Sequence, residues 1–192
     1  MLRNCLLCCI ILSPAVALSD NHSYDLTDEK VDRYLQVMPD TSKVLKALEK
    51  RLRPDKELNE KVQAAVSQGK MHRTILEVAA DSPELGELKS VVENAGYESL
   101  DTWAYTSDRI TSVFMVGEFL NAFAALSFAD IGFKEGDSVF DFVTDQSRPA
   151  EARSKLLQQL EDDCEKSCVV ADDLEVVAPR MKEVVEAFKA LQ

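Results

Sequence analysis

One stretch near the middle of the chain constrains the fold more than any other. Residues 99–128 contain no proline, have the length of a long helix, and carry Ile110, Val113, Phe114, Met115, Val116, Phe119, Leu120, Phe123 and Leu126 on nearly every side of it. A helix that is apolar all round is a buried one, so this segment reads as a central core helix with other helices packed around it. It does not read as a membrane span. Asp108, Arg109, Glu118 and Asn121 interrupt it, and the apolar stretch between charges falls short of the roughly 20 residues a span needs. Those four polar residues then need an explanation, because a buried charge without a partner costs several kcal/mol. They form an internal salt-bridge cluster or an exposed edge, or they are the polar anchor of an apolar ligand pocket. Trp103, Phe114, Phe119 and Phe123 are the expected aromatic anchors of this helix in the core.

The segments on either side carry helix signals in succession. Thr27 is placed as an N-cap, with Asp28 and Glu29 in the first turn and Val31, Tyr34, Leu35 and Met38 at helical spacing. Pro39 is expected to stop that helix. A second follows with Val44, Leu45, Leu48 and Leu52 inward and ends at Pro54. A third opens at Asp55, carries Leu58, Val62, Ala65 and Val66, and stops near Gly69. Residues 71–80 form another, and Ser82-Pro83 starts the next in the favoured order of cap and first-turn proline, with Gly96 at its left-handed end. After a loop over residues 131–137, Val139, Phe140, Phe142 and Val143 fit a short helix or a strand. Pro149 starts a helix through Leu160, and residues 171–191 form the last, kinked at Pro179. Only six glycines are present, few for a turn-rich β protein. The fold class read from this is all-α: a single compact multi-helix bundle, residues 26–192, around the helix at about 99–128.

The first 17 residues read differently. Arg3 and the terminal amine precede the apolar run Cys5-Leu6-Leu7-Cys8-Cys9-Ile10-Ile11-Leu12, and Ala15-Val16-Ala17 closes it with a small-residue cleavage pattern. This is the layout of a secretory signal peptide cut after Ala17, followed by a flexible segment over residues 18–25. The protein is therefore expected outside the cytoplasm, periplasmic or extracellular, with no stable membrane span after processing. Two cysteines survive cleavage, Cys164 and Cys168, and in an oxidising compartment they are expected to form a disulfide.

The formal charge of −12 and a pI near 4.6 argue against nucleic acid as a partner, since phosphates would be repelled and no Lys/Arg cluster provides an exception. No nucleophile elbow or phosphate-binding glycine loop occurs. His72 is the only histidine of the helical region and reads as a solvated or capping group. One histidine and two distant cysteines do not make a zinc site, and the spacing of Cys164 and Cys168 fits neither haem attachment nor a thioredoxin motif. The acidic run Glu161-Asp162-Asp163 reads as a solvated helix end. No cofactor, metal site or catalytic constellation is called for.

Several short motifs resemble a family of small exported proteobacterial proteins named for a quorum-sensing-regulated virulence factor. They are Leu26-Thr27-Asp28-Glu29-Lys30-Val31, then Gly96-Tyr97-Glu98-Ser99-Leu100 leading into Trp103-Ala104 and Asp108-Arg109-Ile110, and the segment from Pro149 through Leu160. The Cys164/Cys168 pair does not match that pattern. The resemblance implies a compact helical fold, a periplasmic or secreted location and an association with virulence, and it implies no reaction. The function expected from the sequence is non-enzymatic: binding of a protein or cell-envelope component. The alternative is carriage of an apolar small molecule in an internal pocket against Phe114, Phe119 and Phe123.

Overall fold

The computed structural model describes residues 25–66, 68–121, 128–163 and 171–190. Among them every regular element is helical: α1 (Asp28–Leu52), α2 (Lys56–Val66), α3 (Met71–Val78), α4 (Pro83–Asn94), α5 (Leu100–Asn121), α6 (Val139–Thr144), α7 (Ala150–Asp163), α8 (Ala171–Val177) and α9 (Met181–Ala190), with 3-10 turns at Ala129–Ile131 and Ala178–Arg180. The all-α bundle expected from the sequence is what the chain forms. Residues 139–143, open between helix and strand, are helical: Ser138 caps α6 by accepting the Phe140 N–H at 3.2 Å. Pro179 falls in the 3-10 turn that separates α8 from α9.

Pro39 does not stop a helix. It lies inside α1, which runs unbroken for 25 residues. The proline removes one rung of the ladder, the N–H that would reach the Leu35 carbonyl. Burial keeps the helix going. Val31, Tyr34, Val37, Met38, Thr41, Val44 and Leu48 form one continuous buried stripe across the proline, so ending the helix would strand half of that surface. The buried Thr41 hydroxyl is satisfied within the same stripe, donating to the carbonyls of Val37 and Met38 at 3.3 and 3.2 Å. Each fully buried aliphatic side chain contributes about 2 kcal/mol, so several together outweigh the roughly 3 kcal/mol cost of an internal proline.

The caps follow local chemistry. Thr27 accepts the Lys30 N–H at 3.3 Å at the start of α1. Ser99 accepts the Thr102 N–H at 3.1 Å at the start of α5. Gly96 takes φ +84° after α4, where the Tyr97 N–H returns to the Val92 carbonyl at 3.2 Å. This is the left-handed close that glycine adopts without a Cβ penalty.

The core has two centres. Leu88, Val92, Tyr97, Trp103 and Ala104 gather where α4 and the start of α5 meet α1 at Val37 and Val44. Ile110, Val113, Phe128, Phe133, Phe142, Leu156, Leu174 and Val184 gather where α5 meets α6 to α9 and the first turns of α1. Helix α5 runs through both and packs against α1, α3, α4, α6 and α8, which makes it the central helix. It is not enclosed on every side, however: Met115 is 43% exposed, and Phe114 is only partly buried, stacked on Phe188 of α9 with ring centroids 5.0 Å apart. Gly117 is where α6 comes closest, because the ring of Phe140 occupies the space that a Cβ at position 117 would need.

Candidate functional site

Helix α3 begins without a cap of its own. Lys70 stands in the N-cap position and makes no side-chain cap bond, so the first N–H groups of the helix need acceptors from elsewhere. They find one on α5. The carboxylate of Asp108 accepts the backbone N–H of His72 at 2.7 Å and that of Arg73 at 3.3 Å. It also accepts from His72 Nδ1 at 3.0 Å and from Arg73 Nε at 2.9 Å. Four donors thus converge on a carboxylate whose side chain is 1% exposed. Burial alone would push the Asp108 carboxyl up. The hydrogen bonds that His72 and Arg73 donate outweigh burial and hold it below the usual range.

A carboxylate can only accept, so the Nδ1 of His72 is the nitrogen that carries the proton in this contact, and while the ring is uncharged its Nε2 keeps a lone pair. The imidazole is 5% exposed and meets the indole of Trp103 edge-on, with centroids 5.4 Å apart and planes at 82°. Trp103 is 1% exposed.

Arg109, the next residue along α5, points about 100° away from Asp108 as helix geometry requires. It grips Asp173, in the first turn of α8, with both Nε, at 2.6 Å, and a terminal guanidinium nitrogen. The Asp173 side chain is 1% exposed. Here burial prevails over the arginine, and the Asp173 carboxyl is raised, with Asp172 and Asp25 adding to the effect. Tyr105, one turn before, links the two pairs: the guanidinium carbons of Arg73 and Arg109 lie 4.6 and 6.0 Å from its ring centroid. Two successive residues of the central helix therefore tie down two different helices, α3 and α8.

Above the His72–Trp103 contact a groove opens between α1, α2 and α3. Its volume is about 390 Å³, and its walls include Met38, Leu45, Leu48, Val62 and Ile75, with His72 and Trp103 among the residues that line it. Charged and polar side chains such as Lys46, Glu49, Arg53 and Gln63 also border it. The volume falls in the range of small-molecule sites, and apolar walls with a few placed polar groups are their usual make-up. Among the described residues, no group of three or more His, Cys, Asp or Glu could hold a metal ion, and no helix is long and apolar enough to cross a membrane.

Of the residues singled out in the sequence, Asp108, Arg109 and Trp103 are brought to this region. Glu118, Phe119 and Asn121 fall on the last turns of α5, with side chains outside the described set. Phe114 lies on the Phe188 side of the groove without lining it. Ala17, Phe123, Cys164 and Cys168 lie outside the described residues. His72 requires a correction: it is neither solvated nor an ordinary capping group but a buried ring held by Asp108. The signal that could have found it is the absence of Ser, Thr, Asp or Asn before α3. A helix that starts Lys70-Met71-His72-Arg73 must borrow a carboxylate, and Asp108 was the buried acid in need of donors. Asp173 carried no comparable signal, because an acid in a first turn is ordinary.

No family model, no curated protein and no solved structure matches this chain.

Proposed function

We propose that the protein is an exported helical binding protein that takes an apolar small molecule into the groove between α1, α2 and α3. The observation that carries this reading is the groove itself: about 390 Å³ of space with mainly apolar walls, lined also by the buried, hydrogen-bonded His72. The pocket differs in place from the one expected against Phe114, Phe119 and Phe123. It lies toward the other end of α5, beside Trp103. Export rests on the signal-peptide layout of residues 1–17 and on the family resemblance of the Leu26 and Gly96 motifs, which also carries the link to virulence. Binding of a protein or cell-envelope component calls for a broad exposed apolar patch. Among the described residues Met115 is the one strongly exposed large apolar side chain, so the groove is favoured over a docking face.

Native mass spectrometry of the protein purified from its own host tests the reading. A retained small molecule, lost on denaturation, is the expected result. A protein partner retained with the groove empty would overturn it. In the same sample the chain should begin at Leu18, and reduction should add two hydrogens by opening a Cys164–Cys168 bridge. A chain that still begins at Met1 would remove the argument for export.

A further inference from the structure

The groove has a polar floor that nothing in the described protein satisfies. His72 Nδ1 is committed to Asp108, and among the described residues no group bonds its Nε2. The indole N–H of Trp103, in the ring that meets His72 edge-on, is buried and likewise without a partner among the described residues. Both residues line the same groove. One supplies a lone pair and the other a donor, and both are more than nine-tenths buried. A buried polar group left unsatisfied is costly, and the Trp103 indole N–H is such a group, beside a His72 ring that lines the same groove.

We infer that the groove is a site for an apolar molecule bearing a hydroxyl group, which donates its proton to His72 Nε2 and accepts from the Trp103 indole N–H. This rests on the reading of the groove as a small-molecule site. A hydroxyl has the donor and acceptor capacity that the two groups call for, on a single atom. An ether or ester oxygen offers no donor to His72. A carboxylate offers no donor either, and it would bring a negative charge close to the buried Asp108. The hydrocarbon remainder of the ligand lies against Leu45, Leu48, Val62 and Ile75. Asp108 acts as a positioning residue: by holding Nδ1–H it fixes the tautomer that leaves Nε2 free to accept.

The test is a matched pair of probes, 1-octanol and octyl methyl ether, titrated calorimetrically into the purified protein and into a His72→Asn variant. The substitution keeps an N–H donor near the Nδ1 position, so the Asp108 contact and the start of α3 have a substitute, and it removes the Nε2 acceptor. Unchanged helical circular dichroism checks the fold. The alcohol should bind the wild type about tenfold more tightly than the ether, the ratio expected when a buried acceptor gains its hydrogen bond. In the variant the two probes should bind alike, with affinity for the ether retained. Equal binding of both probes to the wild type overturns the hydroxyl assignment while leaving an apolar groove. A preference for the alcohol that survives His72→Asn overturns the role of His72. Binding of neither probe overturns the small-molecule reading and this inference with it.

Discussion

Asp108 serves as the helix cap of a helix that is not its own: its carboxylate takes the backbone N–H of His72 at 2.7 Å and, through the same oxygen, the ring N–H at 3.0 Å. A cap is normally a residue adjacent in sequence. Here it comes from 36 positions away, so the contact sets the position of α3 against α5 as well as its starting point.

Removing that charge should be costly. Asp108→Asn leaves buried donors from His72 and Arg73 facing an amide, and it should lower the unfolding free energy by about 3 kcal/mol at neutral pH. The pH dependence gives a second reading. Because the folded pKa of Asp108 lies below its ordinary value of 3.8, its contribution is complete above that value and disappears as the pH falls through the lower folded one. Urea unfolding of the two proteins should therefore converge only in strong acid, and a gap that closes well above pH 3.8, or that persists unchanged through strong acid, would contradict the assignment.

Arg109→Gln should also lose its penalty on acidification, but starting from milder acid. It strands Asp173, whose carboxyl burial already raises, and should cost about 2 kcal/mol at pH 7. Because burial raises the Asp173 carboxyl above its unfolded value, protonation of Asp173 favours the fold at low pH, and the protonated acid no longer depends on Arg109. The penalty of the variant should accordingly shrink as the pH falls from 7. A penalty that grows on acidification would rule out a buried, unpaired Asp173.

Gly117→Ala tests the closest approach of α6 to the central helix. Alanine in a helix interior ordinarily gains about 1 kcal/mol over glycine. At this site a methyl group would occupy the place of the buried Phe140 ring. Overpacking of that kind costs roughly 1 to 3 kcal/mol, so the net change in melting temperature should be downward. A rise would show that Phe140 yields easily.

Pro39→Ala should stabilise the protein. It restores an N–H at a position where α1 is helical on both sides, a gain of up to about 3 kcal/mol reduced by roughly 1 kcal/mol for the freer unfolded chain. A denaturant midpoint unchanged or lowered would mean that α1 packs around the proline's own shape.

The helices were legible because their signals are local. Thr27, Ser82-Pro83, Gly96 and Ser99 act within a few residues of themselves, and the apolar spacing of α1, α4 and α9 follows one face. Pro39 misled because its effect is local while the burial that overrides it is not. The stripe Val31 to Leu48 gains its stabilisation only once α4, α5 and α9 are in place. The site was legible by half. That Asp108 and Arg109 could not face each other followed from helix geometry, but the identity of their partners, 35 to 64 residues away, is a product of packing. His72 was hidden because the deciding fact about it was a capping residue missing from its own neighbourhood.

The borrowed cap also has a kinetic consequence. Helix α3 is eight residues long, too short to persist alone in water, and its neighbour α2 has Ala65 as its one buried residue among those described. Neither can be stable before α5 has docked, so the α2–α3 hairpin should be late to form and early to open, a sub-global unit with its own low opening free energy. Amide hydrogen exchange would register this as weak protection over α2 and α3 beside strong protection in α5. Because that hairpin is one wall of the groove, its fluctuations would give a bulky molecule its way in and out without the remainder of the bundle having to loosen.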